Sequence, residues 1–173
     1  MPSWNICHVK KGEYELLNGN STLVHFSPTS DPDVAWLMNK MEELEIPISY
    51  TKNLNELYFT KLPRDAGDYL DGRIRLSVRK SDWVNVHRTF IHELGHLLDD
   101  HEALTDDDDL KKEKKKKAKH LPDSYAKKDI YEYLAVGFEI FYCGTKKEKK
   151  NMKKKNPILF KKIKNLHKKY SKL

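Results

Sequence analysis

Two histidines one helical turn apart are the residues in this sequence best suited to chemistry. His92 and His96 flank Glu93 in the pattern His-Glu-Leu-Gly-His. Residues four apart share one face of an α-helix, so both imidazoles can point at one zinc ion. Glu93 follows the first histidine and can accept a proton from a water molecule on that zinc. The pattern therefore predicts a metal-dependent hydrolytic centre carried by a helix.

A catalytic zinc site needs a third protein ligand and keeps its fourth position for water. Glu132 is the leading candidate, because it lies in an otherwise apolar helical stretch where an unpartnered carboxylate is costly to bury. Ala135 shares its helical face and would let that helix approach the metal closely. Glu139 is the alternative ligand. It lies two turns from Glu132, about 10 Å along the helix, so the two cannot both bind one zinc. The sequence predicts one zinc ion per chain.

Two further carboxylates continue the helix of the histidines. Asp99 and Asp100 lie one turn beyond His96 and share faces with His92 and His96, respectively. A carboxylate that bonds the second nitrogen of a zinc-bound histidine fixes its tautomer. We expect Asp99 or Asp100 to have this role, the alternative being an ordinary solvated end of the helix.

An alternating strand precedes the histidine helix and follows the turn signal Asp71-Gly72. Residues 73–79 alternate strictly between polar and apolar side chains, which predicts a half-buried strand at a sheet edge. Such an edge can bind an extended peptide by strand addition. The predicted substrate-binding edge strand comprises Arg73, Ile74, Arg75 and Leu76. Its arginines would favour acidic substrate positions, or alternatively would protect a solvated edge.

The remaining elements are predicted from periodicity and turn residues. Asn18-Gly19-Asn20 is typical of a hairpin turn between two short strands. Residues 103–124 are charged and of low complexity, which predicts a long lysine-rich loop. A helix is expected over 127–143, and a closing amphipathic helix begins at Pro157.

Composition excludes several classes of protein. The chain has 173 residues and two cysteines, Cys7 and Cys143, too few for a disulfide framework, so we expect reduced thiols. No apolar run reaches the roughly 20 residues of a membrane span. The charged residues near the N-terminus do not suit a signal peptide, so the expected location is the cytoplasm, or release without such a signal.

Charge is distributed unevenly along the chain. Residues 111–173 hold 22 lysines and 6 acidic residues, whereas residues 1–110 are net acidic. A basic half can contact nucleic acid or an anionic surface, or can be a solvated surface. Because it lacks arginine and has few aromatic residues, specific nucleic-acid recognition is disfavoured.

Taken together, several of these segments resemble a known family. Residues 90–100, with the His-Glu-Leu-Gly-His pattern, resemble the catalytic helix of the anthrax lethal factor-like zinc metalloproteases. Ser124-Tyr125 with residues 131–138 is similar to the next helix of that family, and residues 156–163 to its closing helix. Pro-Pro endopeptidases share this core, and many gluzincins share the first helix motif. The resemblance covers roughly residues 70–173.

The resemblance implies a fold, an activity and a set of residues. It implies zinc held by His92, His96 and Glu132, with Glu93 as general base and Tyr125 as a donor to the oxyanion. The family usually carries a second glutamate just after the alanine of the ligand helix, where this chain has Val136. Because of that departure, one contact around the metal has no assigned residue. The three ligands implied by the resemblance are not affected.

We therefore expect one α+β, zincin-like domain over residues 1–173. A small twisted sheet with an edge strand precedes the zinc helix, the ligand helix and the closing helix. Residues 1–70 have no assigned role, and residues 71–173 form the catalytic core. The expected function is a toxin-like zinc metalloendopeptidase that acts on a protein or peptide substrate. The alternatives are a regulatory peptidase inside the cell that cleaves a repressor-like partner, and a basic nucleic-acid-binding protein with structural or vestigial zinc.

Overall fold

The computed structural model describes residue 4 and the ranges 6–10, 13–16, 22–26 and 33–173. Within them the fold is α+β. The strands are β1 (Ile6–Lys10), β2 (Glu13–Leu16), β3 (Thr22–Phe26), β4 (Glu56–Thr60), β5 (Gly67–Leu70) and β6 (Arg73–Ser77). The α-helices are α1 (Val34–Glu43), α2 (Lys80–Trp83), α3 (Val86–Glu102), α4 (Asp108–Lys117), α5 (Ile130–Cys143), α6 (Lys146–Lys155) and α7 (Pro157–Tyr170). Short 3-10 helices cover Ile48–Asn53, Leu104–Asp106, Ala118–His120 and Ser124–Lys127.

The described strands form one mixed sheet in the order β1-β2-β3-β4-β6-β5. Strands β1, β2 and β3 are antiparallel, β3 to β4 and β4 to β6 are parallel, and β5 is antiparallel to β6. The parallel step from β3 to β4 is connected through α1, as parallel neighbours require a long crossover. The predicted turn Asn18-Gly19-Asn20 lies outside the described residues, although β2 and β3 on either side of it do pair.

The edge of the sheet near the histidine helix is β5, which corrects the sequence-based expectation. Strand β6, with Arg73 and Arg75, lies between β4 and β5 and is therefore interior. Asp71 and Gly72 join β5 to β6 with positive φ angles of 48° and 76°, as a two-residue hairpin turn requires. The alternation of β6 indicated a half-buried strand but could not show whether a partner covered its outer side.

A single cluster of buried apolar side chains runs from Trp4 to Tyr170 and joins the sheet to the helices. Helix α3 contributes Phe90, Leu94 and Leu97 to this cluster and contacts β5, β6 and α5. Helix α7 packs on α5 and α6. The side of α3 that does not enter the core is therefore fixed in place relative to both β5 and α5.

The segment 103–124, expected to be a loop, contains helix α4 instead. Asp107 caps α4 by accepting a hydrogen bond from the Leu110 amide at 2.8 Å. Acidic residues occupy the first turn and lysines the last turn, an order that complements the helix dipole. Leu110 and Glu113 are buried, so α4 is attached to the rest of the fold.

In the described part of the chain, no helix is both long enough and apolar enough to cross a bilayer.

Candidate metal centre

Helices α3 and α5 bring three metal-binding side chains together. Oε2 of Glu132 lies 3.0 Å from Nε2 of His92 and 3.7 Å from Nε2 of His96. One ligand atom from each of the three residues lies within 4.8 Å of the others. The three side chains are 11% to 18% exposed, so water still reaches the group from one side.

These distances fit a tetrahedral zinc ion. Zinc bonds of about 2.0–2.1 Å to imidazole nitrogen and carboxylate oxygen place neighbouring ligand atoms about 3.3 Å apart. The two separations from Glu132, 3.0 and 3.7 Å, lie on either side of that value. Two imidazoles and one carboxylate are a donor set that zinc accepts.

Close contact between the two helices makes this meeting possible. A Cβ atom on Gly95 would lie 3.1 Å from the Cα of Ala135 and 3.2 Å from the ring of Phe138. The absence of a side chain at Gly95 therefore lets α5 approach α3 closely. Glu132 lies in the first turn of α5, where Asp129 accepts a hydrogen bond from its amide at 2.8 Å.

Glu139 contacts the other nitrogen of His92. Its Oε1 lies 2.7 Å from His92 Nδ1, and Arg88 donates to its Oε2 at 3.4 Å. Burial alone would lower the pKa of His92, but the hydrogen bonds to Glu132 and Glu139 outweigh it and raise that pKa to about 10. Glu139 thus lies beside the three-residue group rather than within it.

Asp99 and Asp100 have partners other than the histidines. The carboxylate of Asp99 accepts hydrogen bonds from the amide and hydroxyl of Thr105, at 2.8 and 2.7 Å, and so closes the end of α3. Asp100 accepts a hydrogen bond of 2.5 Å from the Tyr69 hydroxyl. Neither aspartate has a hydrogen bond to a histidine among the described residues, so the expectation that one of them has this role is wrong. For His92 the contact comes instead from Glu139 on α5, which the spacing along α3 could not reveal.

Glu93 lies on the side of α3 that faces the edge strand β5, and it is buried there. The residue is 6% exposed, and loss of solvation on burial raises the pKa of its carboxyl group to about 8. A Cβ atom on Gly67 of β5 would lie 3.2 Å from Oε1 of Glu93 and 2.5 Å from a methyl group of Thr89. Gly67 therefore allows the edge strand to pass directly beside this carboxylate.

Tyr125 and Lys128 also lie beside the three metal-binding side chains. The ring of Tyr125 is 6.2 Å from the ring of His92, and the residue is 46% exposed. Lys128 is 3.4 Å from the Tyr125 hydroxyl and 3.3 Å from Oε1 of Glu132. Lys128 is not among the residues predicted from the sequence, although it lies four residues before Glu132, which is the spacing of a helical ion pair.

A cleft of about 800 Å³ contains these side chains. The residues that line it come from the segment 64–69, from α3, from the segment 125–129 and from α5. Arg73 and Arg75 do not line it. Arg73 pairs with Glu56 and Arg75 with Asp68, at 2.7 and 2.5 Å, while Ile74 and Leu76 are fully buried. The cleft wall expected from β6 is therefore formed by β5, which the turn Asp71-Gly72 could have indicated, since a hairpin turn implies a strand on each side.

Part of the chain matches the model of a known family. Residues 72–166 match the family model described as anthrax toxin lethal factor, N- and C-terminal domain, a segment that covers more than half of the chain. Comparison with curated proteins finds no match.

Proposed function

We propose that this protein, which belongs to the anthrax toxin lethal factor family (N- and C-terminal domain), is a zinc-dependent endopeptidase. The observation that supports this proposal is the meeting of His92, His96 and Glu132 beside the buried carboxylate of Glu93 in an open cleft. Three protein ligands with an accessible fourth position are the arrangement of catalytic rather than structural zinc.

Each residue of the site has a different role in the proposed hydrolysis of a peptide bond. Zinc bound by the three ligands would supply a Lewis acid, which lowers the pKa of a coordinated water and polarises the scissile carbonyl. Glu93 takes the proton from the attacking water and later gives it to the leaving amine. The Tyr125 hydroxyl donates a hydrogen bond to the oxygen on which negative charge develops.

The substrate is a protein or peptide segment bound in an extended form. Strand β5 is the edge of the sheet beside the cleft, and its Gly67 borders Glu93. A peptide added along β5 would satisfy the free backbone groups of the edge and pass over the metal ligands. In this proposal β5 takes the substrate-binding role that was expected of the strand with Arg73 and Arg75. Those two arginines pair with Glu56 and Asp68 instead.

The test compares zinc content and peptide cleavage in matched variants. The purified protein should hold about one zinc by elemental analysis and cleave members of a peptide library. Glu93→Gln should keep the zinc and lose cleavage, because the ligands are intact and the proton acceptor is gone. Glu43→Gln is the control, since Glu43 is an exposed residue on α1 that pairs with Lys40. Normal turnover by Glu93→Gln would overturn the mechanism.

Identifying the natural substrate would distinguish two versions of the proposed endopeptidase function. A toxin-like enzyme would cleave proteins of another cell, whereas a regulatory peptidase would cleave a repressor-like partner in its own cell. Mass spectrometry of peptides that appear when the active protein, but not Glu93→Gln, is added to each proteome would identify the cleaved partner.

A second candidate function, binding of nucleic acid, is favoured by the lysine-rich helices. Helix α6 has seven lysines in ten residues and buries Met152. Helix α7 packs against α6 and against α4, and α4 is also rich in lysine. Lysine contacts to phosphate release counterions, so the affinity for duplex DNA should fall steeply with salt. Fluorescence anisotropy with a labelled duplex at several salt concentrations tests this, and a lack of binding at low salt would exclude it.

A further inference from the structure

The imidazole of His92 bridges two glutamates of the same helix. Nε2 of His92 faces Glu132 and Nδ1 faces Glu139, at 3.0 and 2.7 Å. The two glutamates lie two turns apart on α5, about 10 Å along its axis. Helices α3 and α5 pass close to one another at Gly95 and Ala135, and each glutamate contacts a different nitrogen of the ring.

We propose that Glu139 is a positioning residue that fixes the tautomer and the ring orientation of His92 so that Nε2 binds the metal. The proposal rests on the zinc site proposed above. A carboxylate that accepts a hydrogen bond from Nδ1–H leaves the lone pair of Nε2 directed at the ion and makes the imidazole a stronger donor. Glu139 is thereby assigned a role in metal affinity without being a ligand.

Arg88 supports the position of Glu139. It lies on α3, one turn before His92, and its Nε donates to Oε2 of Glu139 at 3.4 Å. The side chain of Glu139 is 16% exposed, so a partner cation reduces the cost of burying its charge. Each oxygen of the carboxylate therefore has its own partner on α3, which holds the carboxylate on the Nδ1 side of the ring.

The carboxylates that the spacing of α3 suggested for this task are engaged elsewhere. Asp99 is bonded to Thr105, and Asp100 is bonded to Tyr69. Val136, one turn from Glu132, has an apolar side chain that cannot accept a hydrogen bond. Among the hydrogen bonds of the described residues, the partner of Nδ1 of His92 is the carboxylate of Glu139.

The experiment measures the zinc dissociation constant by competition with a chromophoric chelator. Glu139→Ala removes the acceptor and should weaken zinc binding by about 10- to 100-fold, the range found when such partners are lost. Glu139→Gln keeps an acceptor oxygen but loses the charge, so its affinity should fall between those of the native protein and Glu139→Ala. Glu43→Gln is the control for loss of one exposed carboxylate and should bind zinc like the native protein.

Two further readouts distinguish positioning from a merely structural role. The melting temperature of each zinc-free variant reports folding, and a long-range ¹⁵N–¹H spectrum of the zinc-loaded protein reports which nitrogen of His92 carries the proton. We expect Nδ1–H to be protected in the native protein and to exchange faster in both Glu139 variants.

The possible results separate this proposal from the proposed function. Equal zinc affinity in the native protein and both Glu139 variants would overturn the role of Glu139 and leave the zinc enzyme standing. A lower melting temperature with unchanged zinc affinity would assign Glu139 a structural role alone and would also overturn it. A native protein that binds no zinc would overturn both proposals.

Discussion

Removal of the buried carboxylate of Glu113 should destabilise the docking of α7. Glu113 lies on α4, and its side chain is 1% exposed. Its oxygens accept hydrogen bonds from the Ile158 and Leu159 amides, at 3.0 and 2.9 Å, and from the Tyr133 hydroxyl at 3.1 Å. Two of these donors are free amides of the first turn of α7, so Glu113 caps a helix that is distant in sequence.

The expected loss for Glu113→Ala follows from these three bonds. Loss of a helix cap costs about 1 kcal/mol, and a buried hydroxyl left without its acceptor costs about 1–3 kcal/mol. Part of this loss of stability is offset, because the charge of the Glu113 carboxylate no longer has to be buried. We therefore expect the free energy of unfolding to fall by about 3 kcal/mol for Glu113→Ala. Glu113→Gln should lose less, since its amide oxygen still accepts one or two of the bonds.

Urea unfolding followed by circular dichroism measures this effect, with Glu43→Ala as the exposed control. The midpoint should fall while the slope with denaturant stays the same, because the folded state remains equally compact. At urea concentrations below the unfolding midpoint, Glu113→Ala should still bind zinc, since Glu113 does not line the cleft. A loss under about 1 kcal/mol, close to the usual effect of an exposed substitution, would refute the reasoning that Glu113 caps α7.

Three further outcomes are expected. Glu132→Ala should lose most of its zinc by elemental analysis while keeping its helical circular dichroism, and retention of one zinc would exclude Glu132 as a ligand. Tyr125→Phe should keep zinc and KM but lower kcat by about 10²- to 10³-fold, the usual effect of removing one oxyanion donor; an unchanged kcat would exclude that role. Gly95→Val should be less stable by about 1–3 kcal/mol and bind zinc more weakly, because its side chain would meet Ala135 and Phe138; native zinc affinity would show that the close helix contact does not set the site.

The lysine-rich segment shows where sequence reasoning underestimated local order. The order of charges from Asp107 to Lys117, acidic first and basic last, is that of a helix with a complementary dipole. Low complexity suggested a loop because the helix has few apolar residues, and only Leu110 and Glu113 are buried. The partner of Glu113 is the start of α7, which no local pattern could indicate.

The assignment of carboxylates shows a different limit. The apolar surroundings of Glu132 correctly indicated a carboxylate that needs a partner, and the structure places it beside His92 and His96. Which carboxylate reaches Nδ1 of His92 depends on the distance and rotation between α3 and α5. Helical periodicity describes each helix about its own axis and contains no information about that relation.

The sequence by itself determined the features that depend on neighbours along the chain. The spacing of His92 and His96 places both on one face of α3, and Asp71-Gly72 indicates a turn directly before β6. The tertiary structure alone decided that β5 rather than β6 is the edge beside Glu93, and that Glu139 rather than an aspartate contacts His92. Both outcomes result from the packing of elements distant in sequence, in which Gly67 and Gly95 permit close approach because they lack side chains.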